Sequence, residues 1–137
     1  MRRTTLLLVV MGCLLTIFAR VAVAVSQTGT NTANTPSLGP NADKYAGGGG
    51  NDTINGKQGD DILFGDHGNS DTINGGVDND FINSADGTSG DSVIGSGGTD
   101  TCVIDVGDEV DGNPQNTAGH FVSPINTTTC EDLWVVG

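Results

Sequence analysis

Basic and aromatic side chains are scarce in this sequence. Of its 137 residues, 5 are Lys or Arg against 17 Asp or Glu, and 4% are aromatic. Only Lys44 and Lys57 lie beyond residue 20, so the formal net charge of -12 understates the acidity of the rest of the chain. Phosphate backbones and anionic lipid headgroups would repel such a surface, which disfavours binding to nucleic acid or to a membrane surface. The expected partner is a cation.

The histidines and cysteines form no cluster in the sequence that would indicate a nucleophilic or zinc centre. The chain has 2 His and 3 Cys, and we expect His67 and His120 to be ordinary exposed side chains. Adjacent carboxylates such as Asp60 and Asp61 can act as general acid and base, but the repeat described below accounts for them better. We therefore expect no enzymatic activity.

The first 24 residues have the features of a secretory signal peptide. Two arginines follow Met1, residues 6–19 are uncharged and apolar, and residues 22–24 are small or apolar, as is common before a cleavage site. This pattern predicts export, cleavage near Ala24 and no membrane insertion afterwards. Two alternatives stay open: an uncleaved anchor, although the apolar run is short for a bilayer span, and a lipoprotein signal at Cys13.

Three further segments follow the signal peptide. Residues 25–46 are rich in Ser, Thr, Asn, Gly and Pro and are predicted to be a disordered linker. Residues 47–103 hold most of the glycine and form a repeat region. Residues 104–137 are expected to form an irregular C-terminal cap. In an exported protein, Cys102 and Cys130 predict a disulfide that fastens this cap to the last repeat, with two free thiols as the alternative.

The repeat region is built on a unit of about nine residues. An aspartate recurs through it at spacings of nine to eleven residues, and the residue two positions after each aspartate is apolar. The aspartates are Asp52, Asp61, Asp71, Asp80, Asp91 and Asp100, and the apolar residues are Ile54, Leu63, Ile73, Ile82, Val93 and Cys102. A disordered low-complexity segment, the alternative, would have no reason to keep that apolar position.

Each unit predicts a tight turn followed by a short strand. Glycines at the first and fourth positions permit the turn, and alternation in the strand points the apolar side chain to one face. Two units make one coil of a flattened solenoid, so we expect about three coils. Ile54, Ile73 and Val93 would then align in one sheet and Leu63, Ile82 and Cys102 in the other, with the aspartates stacked along two opposite edges.

Stacked aspartates favour a bound calcium ion. At an inter-strand spacing of about 4.8 Å, carboxylates repel each other unless a cation lies between them. Carboxylate and carbonyl oxygens are hard ligands that suit Ca²⁺ rather than Zn²⁺.

These residues resemble the RTX nonapeptide, the haemolysin-type calcium-binding repeat G-G-x-G-x-D-x-U-x, where U is apolar. The resemblance implies an all-β fold: a right-handed parallel β-roll with Ca²⁺ held between the turns of alternate units. It also implies the calcium ligands, which are the six aspartates above together with the turn positions Gly48, Gly50, Asn51, Gly59, Gly68, Asn69 and Asn79. Unlike many family members, this chain has no catalytic domain beside the repeats.

The sequence therefore predicts a secreted, non-enzymatic calcium-binding protein, with a bacterial source as the expectation. Because few apolar side chains point inward, their burial alone cannot offset the backbone entropy lost on folding, and folding is expected to depend on Ca²⁺. The alternative function is surface recognition, as an adhesin or ice-binding module, suggested by the outward pairs Thr53 with Asn55 and Thr72 with Asn74. A protein or glycan partner is not specified by the sequence.

Overall fold

The computed structural model describes residues 23–68, 70–115, 119–122 and 130–137, and all regular structure in these ranges is β-strand. The strands are β1 (Ser26–Thr28), β2 (Lys44–Ala46), β3 (Thr53–Gln58), β4 (Ile62–Phe64), β5 (Thr72–Val77), β6 (Phe81–Asn83), β7 (Ser92–Gly97), β8 (Asp100–Asp105), β9 (Glu109–Val110), β10 (Asn113–Pro114), β11 (Gly119–Val122) and β12 (Cys130–Val136). The predicted signal peptide lies almost wholly outside the described residues. Within them, no helix is long and apolar enough to span a membrane.

The strands form a parallel β-solenoid, which confirms the fold that the repeat pattern predicts. It has about four turns, whereas the sequence analysis predicts about three coils. One sheet has the order β1-β2-β4-β6-β8-β12-β11 and the other the order β10-β9-β7-β5-β3. Consecutive strands of the chain alternate between the two sheets through the central coils, so each coil contributes one strand to each sheet. This is the arrangement that a turn-strand-turn-strand repeat produces.

Two columns of apolar side chains fill the space between the sheets, and they are the predicted ones. Ile54, Ile73 and Val93 are in register in one sheet, and Leu63, Ile82 and Cys102 are in register in the other. All six are buried. The structure extends the columns with Tyr45, Val110 and Leu133, which pair with Leu63, Val93 and Cys102 respectively.

Residues 25–46 do not match the predicted disordered linker. They include β1 and β2, which pair in parallel with each other, and β2 pairs in parallel with β4. The cause is a repeat without the glycine signature: Asp43 precedes Asp52 by nine residues, and Tyr45, two positions later, is buried in the core. The solenoid therefore begins before residue 47.

The C-terminal segment adds strands to both sheets. β12 pairs in parallel with β8, and the predicted disulfide joins Cys102 to Cys130 with Cα atoms 5.7 Å apart. The cap is thus more regular than expected, because β12 continues the stacking of the coils. Two antiparallel pairings end the stack, β11 on β12 and β10 on β9.

The turns need unusual backbone angles at the second and fourth repeat positions, not at the first and fourth as the sequence suggested. At the second position Gly48 has φ 96° and Lys57 has φ 82°; at the fourth, Gly50 has φ 103° and Asp78 has φ 80°. Glycine is the residue that adopts such angles without strain. The first-position glycines serve another purpose, which the site geometry explains.

Candidate metal centre

Two ladders of carboxylates run along the two turn edges of the solenoid. In each ladder, one carboxylate oxygen (Oδ1 of each aspartate, and Oε2 of Glu131 at the end of the second ladder) accepts a hydrogen bond from the backbone N–H of the corresponding residue in the preceding coil. In the first ladder, each residue donates its N–H to the carboxylate of the next one in the series Asn34, Asp52, Asp71, Asp91 and Asp108. The four successive distances are 2.7, 2.8, 2.7 and 3.0 Å. In the second ladder, the same donation runs along the series Asp43, Asp61, Asp80, Asp100 and Glu131. The four successive distances are 2.7, 2.8, 2.9 and 2.8 Å.

The structure brings together all six predicted aspartates and adds residues that the sequence analysis did not select. The additional members are Asn34 and Asp108 in the first ladder, and Asp43 and Glu131 in the second. A signal for three of them was present, because Tyr45, Val110 and Leu133 stand two positions after Asp43, Asp108 and Glu131. The missing glycines concealed it.

The second oxygen of each predicted aspartate has no hydrogen-bond partner among the described residues, and we call such a buried oxygen open. Oδ2 of all six is buried and accepts no hydrogen bond from the described part of the chain. The six are Asp52, Asp61, Asp71, Asp80, Asp91 and Asp100. A buried carboxylate oxygen without compensation is costly, so these atoms call for a proton or a cation.

The open oxygens point at the glycines that begin each repeat. A Cβ on Gly47 would overlap both Oδ2 of Asp52 and the carbonyl oxygen of Gly65 in the next coil. The same arrangement recurs at Gly56, next to Oδ2 of Asp61 and the carbonyl of Gly75. First-position glycines are therefore required for space. At Gly47, Gly56 and Gly75 the space that a Cβ would fill is bordered by both a carboxylate oxygen and a carbonyl oxygen of the next coil.

Burial shifts the acid–base equilibria of these aspartates. Desolvation raises the pKa of Asp61 to about 6 and the pKa values of Asp80 and Asp91 to about 7. Neighbouring carboxylates raise them further, among them Asp100 beside Asp80, while the ladder hydrogen bonds partly oppose the shift. Burial also raises the pKa of Asp71 and of Asp100. Without a counter-ion, these five carboxyls therefore keep their protons to a higher pH than ordinary aspartates do.

The predicted turn ligands occupy the same edges but are less open. The Gly48 carbonyl accepts the N–H of His67 at 2.9 Å, and the Gly68 carbonyl accepts the Thr88 hydroxyl at 2.9 Å. The Asn79 amide oxygen accepts the N–H of Thr99 at 2.9 Å. Gly50 and Gly59 are turn residues with positive φ, Asn51 is exposed, and Asn69 lies outside the described residues.

The oxygen atoms at these edges suit a hard cation that can be coordinated by carboxylate and carbonyl ligands together. Across residues 23–68, 70–115, 119–122 and 130–137, no group of three or more His, Cys, Asp or Glu side chains is arranged to hold a metal. A site built from side chains alone, as for zinc, is therefore not present in those ranges. Calcium accepts the combination seen here, in which carboxylates and backbone carbonyls share the ion.

Comparison with protein families agrees with this chemistry. No curated protein matches the chain. The model of the RTX calcium-binding nonapeptide repeat matches in four copies, over residues 39–70, 46–82 and 68–89. The match begins before Gly47, as the solenoid does. A β-solenoid of calcium-binding repeats is typically a non-catalytic fold. Residues 39–89 accordingly match the RTX calcium-binding nonapeptide repeat that the sequence resembles.

Proposed function

We propose that this protein is an exported, non-enzymatic calcium-binding protein whose solenoid folds when calcium binds. The observation that carries the proposal is the set of six buried Oδ2 atoms that the described chain leaves without a hydrogen-bond donor. Six uncompensated carboxylates in two stacks would oppose folding at neutral pH. A divalent cation removes that opposition.

The residues that would hold calcium follow from the glycine contacts. On the first edge, Oδ2 of Asp52 acts with the carbonyl of Gly65. On the second edge, Oδ2 of Asp61 acts with the carbonyl of Gly75, and Oδ2 of Asp80 with the carbonyl of Gly95. Bound calcium supplies positive charge between the coils. The aspartates themselves position the preceding coil through their Oδ1 atoms.

Calcium-dependent folding suits export. Weak calcium sites of extracellular modules are filled only at the millimolar concentrations found outside cells, and a chain whose folding requires metal stays unfolded without it. The predicted signal peptide would direct the chain to such a medium. Sequencing the N-terminus of the protein recovered from culture medium tests this step, with Val25 as the expected first residue.

Isothermal titration calorimetry tests calcium binding directly. The purified protein should bind several Ca²⁺ per chain and bind Mg²⁺ much more weakly, because Mg²⁺ requires a stricter octahedral geometry. The double variant Asp71→Asn with Asp80→Asn should lose most of this binding. Glu109→Gln, which changes an exposed carboxylate, is the matched control and should bind as the parent does. Equal binding by the double variant would refute the assignment.

Surface recognition is the second candidate, and one observation favours it. Thr53 is in register with Thr72, and Asn55 with Asn74, on the outer face of one sheet. The next strand continues these rows with Ser92 and Ile94, so the matching rungs number two. An ice-recrystallisation assay discriminates the candidates: inhibition in the presence of calcium supports recognition of ice, and its absence removes the ice-binding form of this proposal.

A further inference from the structure

The C-terminal segment delivers a carboxylate to the end of the second ladder. Glu131 is 5% exposed, and its Oε2 accepts the backbone N–H of Asp100 at 2.8 Å. Glu131 therefore accepts the backbone N–H of Asp100 in the same way that Asp100 accepts the backbone N–H of Asp80. This position lies outside the segment that matches the repeat family, which ends at residue 89.

A β-bulge and the disulfide place Glu131 there. In the pairing of β12 with β8, Cys130 is opposite Asp100 and Asp132 is opposite Thr101, so Glu131 is the extra residue of the strand. A bulge of this kind redirects one side chain. Cys130, the residue before Glu131, is covalently bonded to Cys102 in the core, which fixes the strand at this point.

Glu131 differs from the other carboxylates that end a ladder. Both oxygens of Asp43 accept backbone N–H groups, from Val25 and from Gly39. Both oxygens of Asp108 do so as well: Oδ1 from Asp91 at 3.0 Å and Oδ2 from Asp105 at 2.8 Å.

By contrast, Oε1 of Glu131 is buried and receives no hydrogen bond from the residues that the structure describes. Oδ2 of Asp100, which is 0% exposed, is in the same condition. Two neighbouring buried carboxylates with one open oxygen each call for a proton or a cation, whereas the ends at Asp43 and Asp108 are already closed by backbone donors.

We propose that Glu131 and Asp100 form a further divalent-cation site at the C-terminal end of the second ladder, and that the Cys102–Cys130 disulfide positions Glu131 in it. The proposal rests on the proposed calcium-binding function. It assigns a metal ligand to the cap and gives the disulfide a role in metal affinity. The ion would contact the last coil and the cap together, and would hold them to each other.

Terbium luminescence tests the site selectively, because Tb³⁺ takes oxygen ligands as Ca²⁺ does and emits when a nearby indole transfers energy to it. Trp134 is the only tryptophan in the chain. It lies three residues from Glu131 on β12, or about 10 Å at the rise of a strand. Excitation at the red edge of the tryptophan band therefore reports on this end of the solenoid.

The purified protein should show tryptophan-sensitised Tb³⁺ emission that Ca²⁺ displaces. Glu131→Gln keeps an oxygen acceptor for the Asp100 N–H but removes the charge, and should weaken Tb³⁺ affinity at this site at least tenfold. Glu131→Asp keeps the charge on a shorter side chain, and its Tb³⁺ affinity should lie between those of the parent protein and Glu131→Gln. Glu109→Gln is the control, and it should leave the emission unchanged.

Reduction of the disulfide provides a second measurement that requires no variant. It should weaken the sensitised emission while calorimetry still detects calcium bound to the repeats. Unchanged Tb³⁺ affinity in both Glu131 variants, with calcium bound elsewhere, overturns this inference alone. Absence of all calcium binding by the parent protein overturns the proposed function and this inference together.

Discussion

The two turn edges of the solenoid carry similar carboxylate ladders but end differently. The first ladder begins at Asn34, an uncharged residue, and ends at Asp108, whose two oxygens both accept backbone N–H groups. The second begins at Asp43, which is equally closed, and ends at Glu131, whose Oε1 accepts no hydrogen bond within the described chain. The first ladder thus has no open carboxylate oxygen at either end, whereas the second ladder has one at its C-terminal end.

This difference separates two roles of a buried aspartate. One oxygen of each ladder member holds the preceding coil through a backbone hydrogen bond, and this role needs no cation. The second oxygen is either closed by another N–H, as in Asp108, or left open, as in Asp80. Only the open oxygens create a demand for calcium. Variants that affect one role without the other should therefore have opposite consequences.

The largest expected effect is that of pH on the metal-free protein. The pKa values of Asp61, Asp80 and Asp91 are raised to about 6, 7 and 7 in the folded chain, against about 4 in an unfolded one. The stability that these three protonated carboxyls contribute to the metal-free protein is therefore fully present below about pH 4 and is lost as pH rises through 6 to 7.

Circular dichroism in the presence of a chelator checks this dependence. The β-signal should increase on acidification from neutral pH, with protons replacing calcium. In saturating calcium the dependence should reverse, because protons compete with the metal. A metal-free protein that gains stability as pH rises toward 7 would disprove the assignment of the open oxygens.

Removal of the disulfide should produce the next largest effect, and it should fall mainly on the second edge. The chain-entropy model gives about 3–4 kcal/mol for a loop of this length, whose ends are 28 residues apart. Hydrogen exchange in calcium should show faster exchange in β8 and β12 of the reduced protein, with β3 and β5 little changed. Uniform acceleration in all strands would show that the disulfide does not act on one edge.

A matched pair of variants tests the two roles of the aspartates. Asp80→Asn keeps an oxygen for the Asp61 N–H and removes a charge. It should lower stability in calcium by about 1–3 kcal/mol and raise it in chelator. Asp108→Asn places an amide NH₂ opposite a backbone N–H and should lower stability by a similar amount in both conditions.

Urea denaturation in calcium and acid-induced folding in chelator, followed by circular dichroism, provide the comparison, because the metal-free chain is expected to be unfolded at neutral pH. The sign change is expected for Asp80→Asn alone. If Asp108→Asn also stabilised the metal-free chain, the distinction between closed and open oxygens would fail.

The smallest expected effect concerns a turn of the second edge. Lys57 has φ 82°, an angle that side chains other than glycine adopt with strain. Lys57→Gly should stabilise the calcium-bound protein by about 0.5–1 kcal/mol. Gln58→Gly, at the neighbouring position in β3 where φ is not positive, should destabilise it. Thermal unfolding of both variants in calcium suffices, and equal signs would contradict this explanation.

The central coils were predictable because one simple rule governs them. A residue two positions after each repeat aspartate points inward, and this rule placed Ile54, Ile73 and Val93 in one column. The family resemblance supplied the parallel roll. The same rule, applied without requiring glycine, would have included Asp43 with Tyr45, and it would have removed the prediction of a disordered linker.

Other features depend on contacts between distant residues. One hydrogen bond that closes Asp108 comes from Asp91, which directly precedes β7 and lies 17 residues away, and no local pattern encodes it. The other comes from Asp105, three residues before Asp108 at the end of β8. Glu131 reaches its ladder through a bulge and a distant disulfide partner. The need for glycine at the first repeat position was also misjudged, because it arises from the approach of a carboxylate and a neighbouring coil rather than from backbone angles.

Far-UV circular dichroism of the purified protein during a calcium titration at neutral pH, with magnesium as the control, tests the central claim most directly. If open carboxylate oxygens make folding depend on calcium, the chain should change from coil to β-structure as Ca²⁺ is added and should not respond to equal Mg²⁺. A chain already folded in chelator at neutral pH would contradict that claim, as would one that stays unfolded in saturating calcium.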